Sequence, residues 1–167
     1  MAQGWIETLA GELREKGREA AENYGREQHR AGIIEAEGKV FFLALASSLD
    51  QDFTEIRSQL QGSAVACETS VIKTSPTEIK LTRSRFPWFD ATLKHDGPNV
   101  ALDYVQDRGT EPDPTLVGTA ARTTKQFHFE VDRLDRMVIA DPFGDQPQKF
   151  DKPEAFAKHL VELLFKV

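Results

Sequence analysis

His128 and Glu130 are the residues best placed for proton transfer, because they alternate with Phe127, Phe129 and Val131 and so share one face of a predicted strand. Asp103 and Asp90 fall on the corresponding polar faces of neighbouring predicted strands. A histidine with carboxylates nearby is what general acid or base chemistry requires. An enzymatic reading therefore centres on His128, Glu130, Asp103 or Cys67, and it requires those groups to converge in a concave site with perturbed pKa values. Mixed charges of this kind are also what the solvated face of a one-sided antiparallel sheet carries, and that reading is preferred here.

Arg83 and Arg85 pose a different problem. Alternation from Ile79 and Leu81 turns both inward, where a charge without partners costs several kcal/mol. Either the strand bulges before Phe86-Pro87, which is the favoured reading, or the two guanidinium groups rim a cavity. The cavity reading gives the sharpest ligand hypothesis: an apolar groove between sheet and helices, anchored by Arg83 and Arg85, that takes a small acidic or amphiphilic molecule. Trp88 and His128 complete the candidate ligand-binding set. Lys80, Arg83, Arg85 and Lys94, with Trp88 and Phe89 between them, also form a basic and aromatic patch of the kind that holds phosphate or stacks a base. The formal net charge of -6 opposes that use, so no nucleic-acid role is expected.

Cys67 is the single cysteine, so the chain cannot form an internal disulfide or a multi-thiolate metal cage. It alternates onto the face of Val65 and Val71 and reads as a small buried hydrophobe. His29, His95, His128 and His159 are scattered without metal-ligand spacing, and no metal or cofactor is expected. Glycine-rich phosphate loops, HExxH, GxSxG and EF-hand patterns are absent from the sequence. Asp141 and Asp145 around Pro142-Phe143-Gly144 supply too few oxygens for a cation loop and read as a turn.

The elements that must position these residues follow from periodicity. Ile6, Leu9, Leu13, Gly17, Ala20 and Tyr24 are spaced by three and four, which predicts a helix from Trp5 to about Arg30 with a charged remainder. Gly11, Gly17 and Gly25 weaken that helix, although Gly17 beside Ala20 also permits close approach of another backbone. Phe42, Leu45, Leu49, Phe53, Ile56 and Leu60 give a stronger stripe and predict a second helix from about Ile34 to Gln61, stopped by Gly62. Val40 to Ala46 is apolar all round, so this helix is expected to lie sandwiched between the first helix and a sheet.

After Gly62 the period changes to two. Strands are predicted at about Ala64 to Lys73, Glu78 to Phe86, Trp88 to His95, Val100 to Gln106, Phe127 to Val131 and Arg136 to Ala140, six in a meander. Residues Arg108 to Thr119, rich in proline, glycine and acid, read as a long exposed loop. Asp151 and Glu154 form a capping-box-like start, and Phe156, Leu160 and Leu163 form the buried face of a last helix. The expected fold is a single α+β domain: two N-terminal helices, an antiparallel meander of five to six strands over 63–145, and one C-terminal helix over 151–167 packed on the sheet.

With 167 residues, 40% hydrophobic and 29% charged, the composition is that of an ordinary globular domain. The start lacks a basic region followed by an apolar one, and no run approaches the roughly 18 apolar residues of a spanning helix, so the expectation is a cytoplasmic protein with no membrane role. The function these observations favour is a non-enzymatic binding or protein-interaction module. In it, the sheet face or the charged N-terminal helix meets a protein partner or another copy of the chain. The alternatives are the small-ligand binder with Arg83 and Arg85 as anchors, and the enzyme centred on His128.

Overall fold

The spacing of Phe42, Leu45, Leu49 and Phe53 does produce a helix, but one far longer than either predicted segment. In the computed structural model, which describes residues 3–66, 68–85, 87–107 and 122–166, helix α1 (Gln3–Leu60) runs unbroken for 58 residues, roughly 87 Å at 1.5 Å per residue. The two expected N-terminal helices are one. The chain has no proline before Pro76. Gly32 alone, at the expected break, costs about 1 kcal/mol, too little to end a helix flanked by good helix formers. Gly62, at a φ of 80°, provides the stop expected of it.

The two ends of α1 live in different surroundings. From Phe41 onward the stripe is buried at Phe42, Leu45, Leu49 and Phe53, with Ile56 and Leu60 half-covered near the end. Residues 4–32 are exposed, apart from a half-covered Ala10. Val40 to Ala46 is therefore not sandwiched. Phe41, Phe42, Leu45 and Ala46 enter the core, whereas Val40 and Leu43 face outward, because no second helix among the described residues lies behind α1.

Among the described residues seven strands follow: β1 (Thr69–Ser75), β2 (Glu78–Arg83), β3 (Trp88–Asp96), β4 (Asn99–Asp107), β5 (Thr123–Val131), β6 (Met137–Asp141) and β7 (Gln148–Phe150). They pair antiparallel in sequence order in one sheet. The expected six become seven because β7 pairs with β6 through Ile139 and Phe150 after the turn at Asp141 to Asp145. The β2–β3 register runs without a shift through Arg83 and Phe89, so the favoured bulge does not occur within β2. The predicted loop from Arg108 to Thr119 lies outside the described residues, as does Cys67.

Helix α2 (Pro153–Phe165) closes the fold. Pro153 sits in its first turn, but the N-cap is Lys152 and no side chain caps it, so the expected capping box with Asp151 does not form. Its buried face is Phe156, Ala157, Leu160 and Leu164; Leu163 is only half-covered.

Both helices pack on the same sheet face, which presents Ile79, Leu81, Phe89, Leu93, Leu102, Phe127 and Ile139. Phe41 meets Phe129 edge-on at 5.5 Å, Phe53 meets Phe89 at 6.0 Å, and Phe156 meets Phe127 at 5.0 Å. Gly38 lets α1 come this close: a Cβ there would lie 3.3 Å from the Phe129 ring.

Candidate functional site

On the outer sheet face, the His128 imidazole and the Glu130 carboxylate are 2.7 Å apart, and Lys149 donates to the other oxygen of Glu130 at 2.5 Å. The register brings this group together, since β6 aligns Ala140 with both His128 and Lys149. All three side chains are at least one-third exposed. Asp103 instead accepts a hydrogen bond from Thr124, and Asp90 lies 3.8 Å from both Lys80 and Arg122. His128 pairs with Asn99, four positions along β4 from Asp103, which at about 3.3 Å per residue keeps the two roughly 13 Å apart. Of the residues proposed for an acid–base site, His128 and Glu130 thus meet on an open face while Asp103 stands apart from them, and Cys67 lies outside the described residues.

The Lys149 hydrogen bond, with lesser help from His128, holds the Glu130 carboxyl below its ordinary value of 4.5. A carboxyl whose folded pKa is depressed adds stability above the unfolded value and loses it as pH falls through the folded one. Lys149→Ala should therefore cost a small amount of stability, about 0–1 kcal/mol for so exposed a pair, above pH 4.5. Urea midpoints of variant and parent should converge as pH drops further. A gap that persists undiminished at the lowest pH would refute this account.

Arg83 turns inward, as strict alternation requires, and is 3% exposed. It donates to the Val65 carbonyl at 2.7 Å, and its guanidinium lies 5.5 Å from the centre of the Phe165 ring on α2. Trp88 is also buried, and its indole N–H has no hydrogen-bond partner among the described residues. Arg83 and Trp88 line a shallow groove of about 330 Å³ with Glu68, Ser70 and Asp90. Arg85 lies past the end of β2 and is exposed, and His128 stands on β5, separated from β2 by β3 and β4. The structure therefore brings two of the four candidate ligand-binding residues together.

Two other histidines are accounted for inside the fold. His95 bonds the Gly97 carbonyl at 2.8 Å and stacks on Phe42 at 5.3 Å. His159 meets the buried Asp141 carboxylate at 2.8 Å, while that carboxylate also accepts the Phe143 N–H. Sequence reasoning missed both roles; the inward parity of His95 with Leu93 and Ala91 was the available signal. Among the described residues no group of three or more histidine, cysteine or acidic side chains is arranged to hold a metal ion.

The larger concavities lie along the helices. One, of about 680 Å³, opens where α1 leaves the sheet and is lined by Ile34, Leu43, Pro76, Pro98, His95 and Lys39. Another, of about 710 Å³, separates the ends of α1 and α2 at Ile56, Leu60, Val161 and Phe165.

Comparison with family models, curated proteins and solved structures found no match for this chain.

Among the described residues the largest exposed apolar feature is the free half of α1. Trp5, Ile6, Leu9, Leu13 and Tyr24 on it are 62%, 52%, 45%, 61% and 64% exposed. The stripe Ile6, Leu9, Leu13, Gly17, Ala20, Tyr24 repeats the spacing of Phe42, Leu45, Leu49, Phe53, Ile56, Leu60 with a constant offset of 36 residues. At 3.6 residues per turn that is ten full turns, so the two stripes share one azimuth. The free half presents, beyond the edge of the domain, the same side of the helix that the other half buries against the sheet.

Proposed function

We propose that this chain is a protein-interaction module whose docking element is the free N-terminal arm of α1. The observation that carries the reading is the exposed apolar stripe in phase with the buried one. A contiguous apolar surface costs solvation free energy until something covers it, and such surfaces mark interaction sites. Spacing by three and four along a helix is the pattern by which helices dock into grooves or onto other helices.

The polar sides of the arm favour a protein over a bilayer. They mix Glu7, Glu12, Glu15, Glu19 and Glu22 with Arg14, Lys16, Arg18 and Arg26, and Arg18 is bridged to Glu15 and Glu22 within the helix. A helix that lies on an anionic membrane needs a basic polar face, which this is not. No helix among the described residues is long and apolar enough to cross a membrane.

The test is affinity capture with the parent chain and with the double variant Leu9→Glu/Leu13→Glu. Both side chains are exposed on the arm, so the variant should keep the parental melting temperature. A set of proteins, or further copies of the chain, held by the parent and released by the variant is the expected result. Equal capture by both would remove the arm from the proposal.

A second reading takes the groove of about 680 Å³ beside Ile34 and Pro98 as a site for a small apolar molecule whose polar end meets the mixed charges of Lys39, Glu35 and Asp96. It replaces Arg83 and Arg85 as anchors, because neither lines that groove.

A further inference from the structure

We infer that the arm docks on the arm of a second copy of this chain, in an antiparallel pair centred near residue 15; the inference rests on reading the arm as a docking element. The first argument is the order of sizes along the stripe. Let two arms run antiparallel so that residues at one level have numbers summing to about 30. Ile6 then faces Tyr24 of the second copy, Leu9 faces Ala20, Ala10 faces Ala21, and Leu13 faces Gly17. Leu9 and Leu13 each meet a small residue, and both helix axes can approach closely across Gly17, where a Cβ would meet nothing within 4 Å in the single chain. A parallel pair would set Gly17 on Gly17 and leave a gap at mid-seam.

The stripe's register also has to clear the rest of the domain. The turn between β5 and β6 reaches α1 at His29, whose ring nitrogen lies 3.5 Å from the Asp135 carboxylate. Residues 4–28 are on the far side of that contact and are exposed apart from a half-covered Ala10. In the register set by the stripe, Trp5 reaches the level of Gly25 of the second copy, short of that copy's turn. In this register the two domains do not collide over the paired residues.

Charge adds a modest term of both signs. Glu12 and Lys16 share one flank of the stripe and face each other across the pair in both directions, as complementary seam-flanking charges do in paired helices. Arg14 meets Arg14 of the second copy on the other flank, so moderate salt should relieve that repulsion and leave the apolar seam intact.

Sedimentation velocity on the full chain, from low to high micromolar concentration, tests the inference. The expected result is a reversible dimer that Leu9→Glu/Leu13→Glu converts to monomer. Gly17→Gln, which puts a side chain into the close approach, should weaken it by about tenfold or more. Gly25→Ala, on the flank, should leave the dimer intact. Amide exchange over residues 5–28 should slow as concentration rises. A parent chain that stays monomeric throughout, or a dimer indifferent to both stripe variants, overturns the antiparallel pair. Monomeric behaviour together with arm-dependent capture of other proteins would overturn the self-pairing alone and leave the interaction reading standing. Loss of both would end both.

Discussion

Phe156→Ala is expected to lower stability by about 3–5 kcal/mol, the range for deleting a fully buried aromatic ring from a packed core. Phe156 is 0% exposed and lies where α2, α1 and the sheet meet. Its ring has neighbours at Phe127 (5.0 Å), Phe150 (5.6 Å) and Phe41 (6.4 Å), which come from β5, β7 and α1. No one of these elements can move to fill the void without breaking its contact with the others, so relaxation recovers little. For a domain of this size such a loss corresponds to a fall in Tm on the order of 10 °C. A loss below about 1 kcal/mol by urea titration would mean that α2 is not docked as described. Because the arm lies outside this core, dimerisation per folded molecule should not change.

Arg83→Ala should be the most costly change of a charged residue, at about 2–4 kcal/mol. The substitution removes the hydrogen bond to the Val65 carbonyl, uncovers Phe165 and leaves a cavity between β2 and the last turn of α2. Arg83→Lys should recover little, since an ammonium cannot lie flat on the ring while holding the same carbonyl. Thermal melting in the absence of any added molecule decides the matter. A fall in Tm fits a side chain that ties the 60–66 segment and α2 to the sheet. An unchanged Tm would return Arg83 to the role of ligand anchor that alternation first suggested for it and Arg85.

Much of this architecture was readable where a single physical rule governs. Phe42 to Phe53 form a core-facing helix because three-and-four spacing and burial agree there, and β2, β3 and β5 alternate over most of their length because one face is covered, whereas β6 is buried at all five positions. Arg83 turned inward against the preference for a bulge, since alternation was kept and the guanidinium found a carbonyl and a ring. The continuity of α1 was hidden by Gly32 and by Glu27 and Gln28, polar residues that interrupt the stripe locally although the helix runs on. The strand β7 was hidden because Gln148-Lys149-Phe150 is too short to show a period, and its pairing is decided by β6. The site reasoning found the stripe of the arm but not its phase. Phase has meaning only once the two segments are known to be one helix.

The continuity of α1 also has a kinetic and entropic consequence. Starting a helix is its costly step, because the first turn fixes several residues for one hydrogen bond, whereas lengthening adds one bond per residue. Residues 41–53 are seated in the core and act as a permanent nucleus, so the arm grows by propagation and never needs to start. A partner therefore meets a surface already ordered, and the entropy that a disordered segment would lose on association is largely absent. Glycines at 4, 11, 17, 25 and 32 act in the opposite direction, since each weakens propagation outward from the domain. Helical order should thin toward Trp5 in the single chain and be restored from that end when the stripe is covered.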